Sequence, residues 1–351
     1  MKKLFVFLGV VLMTIGSALR AQEVDSTVPL QKSSWGDAKE IVDYIPDIVL
    51  ESRFGYNQNF TGKTGRFGGD GLFLDVNGKI NSHFSYSLHH RIACFEGTDG
   101  LGFDNTDWLY LTYETDKFSI TAGKNAIFIG NFEYDAADMD SYWQLNSLFW
   151  NIIDPWQWGV SAAWYPADDQ SISFQVCNSP FASWEISNLF AYALEWRGSW
   201  DFYESCWTTN LWQYDASGYV GSINLGNRFY LGNFTVDLEY MTRGLSLKGL
   251  FTDDITIHAL PSYEWEWGRA FAKLGWERIN EDTMGYDFTG SNIYYGAGLE
   301  LFPIKNSKDI RIHAAWGSNN NYSGEHILQV GLKCNLSLTE AGKRLFNKCQ
   351  K

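Results

Sequence analysis

The chain has 351 residues, of which 17% are aromatic, including 16 tryptophans, and it contains 33 glycines but only 7 prolines. The formal net charge of -14 argues against a nucleic-acid partner. The cysteines (Cys94, Cys177, Cys206, Cys334 and Cys349) are odd in number and have neither zinc-site spacing nor a disulfide framework. We therefore expect no cofactor and no metal.

The N-terminus has the features of an export signal. Lys2 and Lys3 precede an apolar run over 4–15, and small residues give a cleavage point after Ala18 or Ala21. This run is too short to span a bilayer and predicts a secretory signal peptide at 1–21. No other apolar run approaches the length of a membrane helix. Residues 22–45 are polar and predict a periplasmic lead-in, with a plug as the alternative.

Residues 71–124 contain four runs in which apolar and polar side chains alternate with a period of two. These runs are 71–80, 84–92, 109–113 and 118–122. A period of two predicts β-strands with one apolar face. The predicted turns are Asn81-Ser82 within the first pair of runs and Asp116-Lys117 within the last pair, whereas the connection 94–106 is long. Short turns that alternate with long loops are typical of a transmembrane β-barrel.

The same alternation continues to the C-terminus and predicts an all-β antiparallel barrel of about sixteen strands over 46–338, with long extracellular loops and short periplasmic turns. The remaining predicted strands are 47–59, 156–165, 171–178, 191–198, 203–214, 219–231, 233–243, 254–267, 269–279, 292–302, 310–317 and 326–338. Fourteen or eighteen strands would need one hairpin recounted. Residues 60–70 are predicted to be a long outer loop, and 339–351 a polar tail. A soluble β-helix or sandwich is the rival fold, but its loops need not alternate in length.

A barrel of this size encloses a water-filled lumen, which the polar side of each strand would line. The basic pore-lining candidates are Lys79, Arg91, Lys124, Arg197, Arg228, Arg243, Arg311 and Lys333. Acidic residues share these faces, so a transverse field across the pore is one interpretation. The plainer interpretation is that mixed charge merely solvates a wide lumen.

The longest connection, 125–155, is the predicted constriction. Its acidic candidates are Glu133, Asp135, Asp138 and Asp140. Folded into the lumen opposite the wall arginines, this loop would form an eyelet; the alternative is an extracellular lid. Its aromatic residues suit stacking on sugar rings, but the rims of such barrels are aromatic in any case.

The signals for an enzyme are poor. A lipase at the barrel rim needs histidine, serine and an orienting polar residue together. His90 lies between Leu88 and Ile92 on the apolar side of its strand, where a histidine at the headgroup level is the ordinary explanation. No catalytic residues are expected.

Residues 108–134 read WLYLTYETDKFSITAGKNAIFIGNFEY and follow GKINSHFSYSLHHRI at 78–92. This stretch resembles the phosphate-selective porin O and P family, especially its divergent members of Bacteroidetes type, and TAGK at 121–124 matches the family's strand that leads into the constriction loop. The resemblance implies a sixteen-stranded outer-membrane porin, commonly a homotrimer. Phosphate selectivity does not transfer, because no basic ladder is present. The C-terminus also departs from the family, since a tail follows Leu338 in place of a terminal aromatic residue.

These observations predict an outer-membrane porin that lets small hydrophilic solutes or ions diffuse passively. The alternatives are a channel selective for anions, phosphate or sugars, and a non-conducting adhesin or structural barrel. The expected partners are outer-membrane lipid, the solutes themselves and further copies in a homotrimer.

Overall fold

The computed structural model describes residues 45–94, 105–135, 138–149, 153–181, 188–280, 289–319 and 325–349. The predicted signal peptide and nearly all of the predicted lead-in lie outside these ranges.

Sixteen antiparallel strands form the molecule, as the period-two pattern predicted. They are β1 Asp47–Asn59, β2 Thr64–Lys79, β3 Phe84–Cys94, β4 Thr106–Glu114, β5 Phe118–Ala126, β6 Trp156–Ala167, β7 Gln170–Asn178, β8 Phe190–Trp200, β9 Tyr203–Gln213, β10 Tyr219–Leu231, β11 Phe234–Gly244, β12 Asp254–Trp265, β13 Gly268–Ile279, β14 Gly290–Leu301, β15 Ile310–Asn319 and β16 Glu325–Ser337. The helices among the described residues are α1 Phe132–Asp135 and α2 Leu338–Cys349, with 3-10 turns at Asp138–Asp140, Trp143–Leu145 and Gly249–Phe251.

Each strand pairs with its neighbours in sequence, and β1 pairs with β16 to close the barrel. The closing register runs from Val49 opposite Ser337 to Asn59 opposite Ile327. Closure satisfies the backbone groups that an open sheet edge would leave unpaired, which a lipid environment requires. The prediction of a sixteen-stranded barrel is confirmed.

The two faces of the strands have the predicted polarity. On β11 the outward side chain of Leu238 is 45% exposed, whereas the inward carboxylates of Asp237 and Glu239 are buried. Because side chains alternate along a strand, the apolar set forms one continuous outer surface, and the polar set lines the interior.

The connections define two different ends of the barrel. At the short-turn end the hairpins are brief; Gly232, at φ 66°, forms the tight turn between β10 and β11. Glycine adopts this left-handed conformation without steric cost. The other end, which we call the long-loop end, carries the connection between β5 and β6.

The prediction of a long outer loop at 60–70 is wrong. Residues from Thr64 onward belong to β2 and pair with β1, so that Asn59 lies opposite Thr64. The loop is only 60–63, with Lys63 at φ 53°. Three glycines at 65, 68 and 69 suggested a loop, but pairing with β1 determines the conformation there because it supplies the backbone hydrogen bonds.

The C-terminal segment, predicted as a polar tail, is helical over Leu338–Cys349. At the start of α2 the Thr339 hydroxyl accepts a hydrogen bond from the Ile48 amide at 2.9 Å and donates one to the Pro46 carbonyl at 2.8 Å. These contacts fasten the helix start to the beginning of β1. Within the described part of the chain, neither helix has the length and apolarity to cross a bilayer.

Candidate pore and its constriction loop

The described residues of the connection between β5 and β6, which are 127–135, 138–149 and 153–155, fold into the barrel; we call them the inner loop. Its buried apolar side chains are Ile127, Ile129, Phe132, Met139, Tyr142, Leu145, Leu148, Phe149 and Ile153. They pack against inward-facing residues of the wall. The sequence left both an inserted loop and an outer lid open, and the structure has the inserted form.

An apolar cluster holds the two ends of the inner loop near the long-loop end of the barrel. Ile127, Phe149 and Ile153 pack with Trp212, Val220, Met241 and Ile279 from the wall. The rings of Phe149 and Trp212 stack with centroids 5.9 Å apart, and both side chains are completely buried. Burial of such large aromatic side chains supplies the non-directional part of the attachment.

A buried ion pair attaches the middle of the inner loop to β13. The Lys273 ammonium donates to Glu133 at 2.5 Å, and Glu133 also accepts from the Ser147 amide at 2.8 Å and the Ser147 hydroxyl at 2.6 Å. Burial raises the pKa of Glu133, but the charges of Lys273 and His258 and these hydrogen bonds outweigh burial and leave the pKa below its usual value. The carboxylate therefore connects the loop both to itself and to the wall.

A second ion-pair group attaches the loop to β15 and β16. Asp140 accepts from Arg311 at 2.7 Å and from Lys333 at 2.8 Å, and Lys333 also donates to Glu300 at 2.6 Å. Burial raises the pKa of Asp140, yet the two cations lower it by more, so the net shift is downward. Asp140 retains 33% exposure of its side chain and so lies at the edge of the buried network.

Helix α1 is oriented by the wall. Glu239 accepts from the backbone amides of Phe132 at 2.8 Å and Glu133 at 3.1 Å. The Arg228 guanidinium lies over the Phe132 ring at 4.1 Å, and Arg197 donates to Asp135 through two nitrogens at 2.7 and 3.0 Å. A carboxylate at the helix start satisfies amides that have no partner within the helix.

The sequence reasoning missed Arg53, which binds the loop from β1. Its guanidinium donates to the backbone carbonyls of Met139 at 3.0 Å and Ser141 at 2.5 Å. Close by, the Tyr142 hydroxyl and the Nδ1 atom of His313 form a hydrogen bond of 3.1 Å. The signal was available, because Arg53 shares with Glu51 the side of β1 opposite Leu50 and Phe54.

Glycines make room for the loop on the inner wall. A β-carbon at Gly317 would lie 2.7 Å from Leu145 Cδ2 and 2.8 Å from Gln144 Cγ, and all three of its nearest atoms belong to the inner loop. At Gly226 it would lie 3.0 Å from the Asn131 α-carbon. The inner loop therefore approaches β10 and β15 closely at these glycines, and a side chain at Gly317 would require the loop to shift.

The other predicted basic residues have different locations. Arg243 is fully buried, with its guanidinium 4.3 Å above the Phe149 ring. Arg91 binds Asp107 at 2.7 Å on the wall away from the loop, and Lys79 is exposed at the short-turn end. Lys124 is buried but pairs in register with Leu109 and Trp158, which places it on the outward side of the sheet.

Of the predicted acidic residues, the structure brings Glu133, Asp135 and Asp140 into direct contact with basic wall residues. The backbone of Asp138 lies in the turn Asp138–Asp140, and its side chain is outside the described part of the structure. An eyelet would place the acidic loop residues and the basic wall residues on opposite sides of an open space. In the structure these groups instead lie at hydrogen-bond distance from each other.

The inner loop covers only part of the wall. From β9 to β16, the inward side chains near mid-strand are buried, including Asn210, Asn224, Met241, His258, Asn292 and Ala315. From β3 to β6, many inward side chains keep partial exposure, among them Tyr110, Thr121, Ser161, Ala163 and Tyr165. On β7 the inward side chains of Gln175 and Cys177 are buried against the inner loop. Inside a closed barrel partial exposure marks a solvent-filled space, so the open part of the lumen lies along β3–β6.

The described residues contain no metal-binding cluster. Among them, no group of three or more His, Cys, Asp or Glu side chains has a geometry that would hold a metal ion. The Nδ1 atom of His90 lies 3.0 Å from the Thr106 hydroxyl and within hydrogen-bond distance. This pair is on the outer surface of the barrel.

Comparison with known proteins agrees with the barrel geometry. Residues 52–198 match the family model described as phosphate-selective porin O and P, which confirms the resemblance over that stretch. A five-substitution mutant of Rh. blastica porin aligns with a TM-score of 0.57 at 11% identity, over 83% of this chain and 100% of that chain. A triple mutant of Rhodopseudomonas blastica porin gives the same values. At this identity the likeness concerns the fold. A search of curated proteins gives no significant match.

Proposed function

We propose that this chain, a closed sixteen-stranded barrel whose residues 52–198 match the phosphate-selective porin O and P family model, is an outer-membrane channel for passive diffusion of small hydrophilic solutes. The observation that carries the proposal is the incomplete cover of the wall. Because the inner loop is fastened to the β7–β16 side and to β1, it narrows the lumen without filling the space along β3–β6.

The attachment of the loop favours a permanently narrowed pore. Three independent kinds of contact hold it: the apolar cluster around Phe149, the ion pair of Glu133 with Lys273, and the group around Asp140. Selection by size then follows from geometry, with no turnover and no cofactor. The family and the fold indicate a channel rather than an enzyme.

The working assembly that we propose is a homotrimer in the outer membrane. The resemblance to the family whose model matches residues 52–198 implies it. Chemical cross-linking of the detergent-extracted protein should give a three-subunit limit; a monomer alone at all cross-linker concentrations would contradict the trimer.

Single-channel recording of the refolded protein in planar bilayers tests the channel function directly. We expect stable conductance steps, because the inward side chains of β3–β6 are partly exposed to the lumen. A barrel whose circular dichroism and heat-dependent gel mobility show correct folding, but which never conducts, would contradict the proposal and favour the adhesin.

A further inference from the structure

The wall along the open part of the lumen differs in chemistry from the wall behind the loop. The inward side chains of β5, β6 and β7 are Ser119, Thr121, Gly123 and Asn125; Gln157, Gly159, Ser161, Ala163 and Tyr165; and Ser171, Ser173, Gln175 and Cys177. Within these three strands, which the structure describes completely, every inward side chain is uncharged. On β7 the loop and the neighbouring wall bury Ser173, Gln175 and Cys177, so the open uncharged wall consists mainly of β5 and β6, which offer hydroxyl and amide groups, a tyrosine ring and glycine backbone.

The charged wall residues are concentrated where the loop covers them. Lys273, Lys333 and Arg311 bind loop carboxylates or lie beside Glu300, and Arg243 lies under Phe149. A charge matched at hydrogen-bond distance by its opposite projects little field into the lumen, because the pair acts as a dipole. Insertion of the loop therefore pairs the wall cations with carboxylates, so that these cations no longer make the pore selective for ions.

The two arginines that border the β5–β6 wall are matched by carboxylates as well, and on β3 His89 lies 2.6 Å from Asp75. On one side Arg197 is 40% exposed and binds both Asp135 and Glu195; on the other Arg91 is 30% exposed and binds Asp107. The inward side of β5–β7 has no cationic side chain, so neither arginine belongs to a continuous row of cations along the path. A phosphate ion that entered this path would lose part of its hydration without gaining a cluster of positive charge.

We propose that the open path selects neutral polyhydroxylated solutes of sugar size over phosphate and other multivalent anions. Hydroxyl and amide side chains both donate and accept hydrogen bonds, as the hydroxyls of such solutes do, so they replace water in passing without a charge penalty. This inference rests on the proposed channel function. It departs from the selectivity in the name of the matching family.

Two measurements on the intact protein test the inference. In liposome swelling, small neutral sugars should enter at rates that fall with size, and in planar bilayers inorganic phosphate should not reduce the potassium chloride conductance. The reversal potential under a salt gradient should lie close to zero. Saturable block by phosphate, or strong anion selectivity, would overturn the inference while leaving the channel function intact; absence of conductance would instead overturn the channel function.

Substitution at Ser161 tests whether solutes follow the uncharged wall. Ser161 is half-buried on β6, in register with Thr121 and Gln175. Ser161→Arg should raise the anion-to-cation permeability ratio, calculated from the reversal potential, several-fold. Ser161→Asp should lower this ratio. Ala216→Arg, on the exposed 214–218 connection, adds the same charge away from the wall and should change little. Conducting, folded Ser161 variants with unchanged reversal potentials would overturn the inference.

Discussion

At the scale of single residues, Glu133 is the most consequential member of the inner loop. Its carboxylate is buried and accepts from Lys273 and Ser147. Removing one partner of a buried ion pair leaves an uncompensated charge and typically costs about 3–5 kcal/mol. Lys273→Met should therefore lower the free energy of unfolding by about that amount, measured by denaturant titration in detergent.

The exposed pair Lys308–Glu264 provides the matched control. Its side chains are 57% and 47% exposed, so Lys308→Met should cost under about 1 kcal/mol. The double variant Lys273→Met with Glu133→Gln should recover part of the lost stability, because no buried charge then remains unpaired. Equal losses for Lys273→Met and Lys308→Met would contradict the assigned role of the buried pair.

The same carboxylates predict how the loop responds to acid. The pKa values of Glu133 and Asp140 are lowered from ordinary values of 4.5 and 3.8, so their stabilisation is complete above those values and is lost as pH falls through the lower folded ones. Open-channel noise should stay constant from neutral pH to about pH 5 and rise below about pH 4.

Asp140→Asn should weaken this acid response, since one of the two titrating groups is gone. Asp116→Asn, in an exposed short turn, should leave it unchanged. A noise level that does not change with acidification in the unsubstituted protein would show that these carboxylates do not hold the loop.

At the scale of elements, the position of the inner loop against β15 depends on the absence of a side chain at Gly317. All three nearest neighbours of a side chain built at Gly317 belong to the loop, so Gly317→Val should push the segment Trp143–Leu145 away from β15 at a cost of about 1–3 kcal/mol. The single-channel conductance should rise because the constriction widens. Gly68→Val is the control, as nothing lies within 4 Å of that position. Identical conductance in both variants would contradict the seating.

At the scale of the whole molecule, closure between β1 and β16 makes the barrel one cooperative unit. Truncation before β16 would expose the edges of β1 and β15 along their length, and unpaired backbone groups in lipid cost several kcal/mol each. We expect the truncated chain to lose the folded form that migrates faster on gels before boiling. A folded, conducting truncation would show that closure is dispensable.

The sequence by itself determined the strands, because the period of two is a local pattern that each strand carries independently. The bounds predicted for the strand 219–231 are those of β10. The run 203–214 alternates poorly, but the regular spacing of turns predicts it, and it corresponds to β9. Local signals failed where tertiary pairing opposed them. The glycines at 65–69 imitate a loop, yet pairing with β1 makes them strand, and residues after Ser337 form a helix that no strand pattern foresaw.

Only the tertiary structure decided where the inner loop lies and which charges meet. The acidic residues of 125–155 and the wall cations were both visible in the sequence, but their partnership depends on distances between residues up to 193 positions apart, such as Asp140 and Lys333. Alternation gives the side of the sheet on which a residue lies, not what covers it. The sequence places many charged residues on the lumen side of the strands. In the folded barrel the inner loop pairs its carboxylates with the cations of the wall that it covers, and the inward side chains of β5 and β6, along the open path, are uncharged.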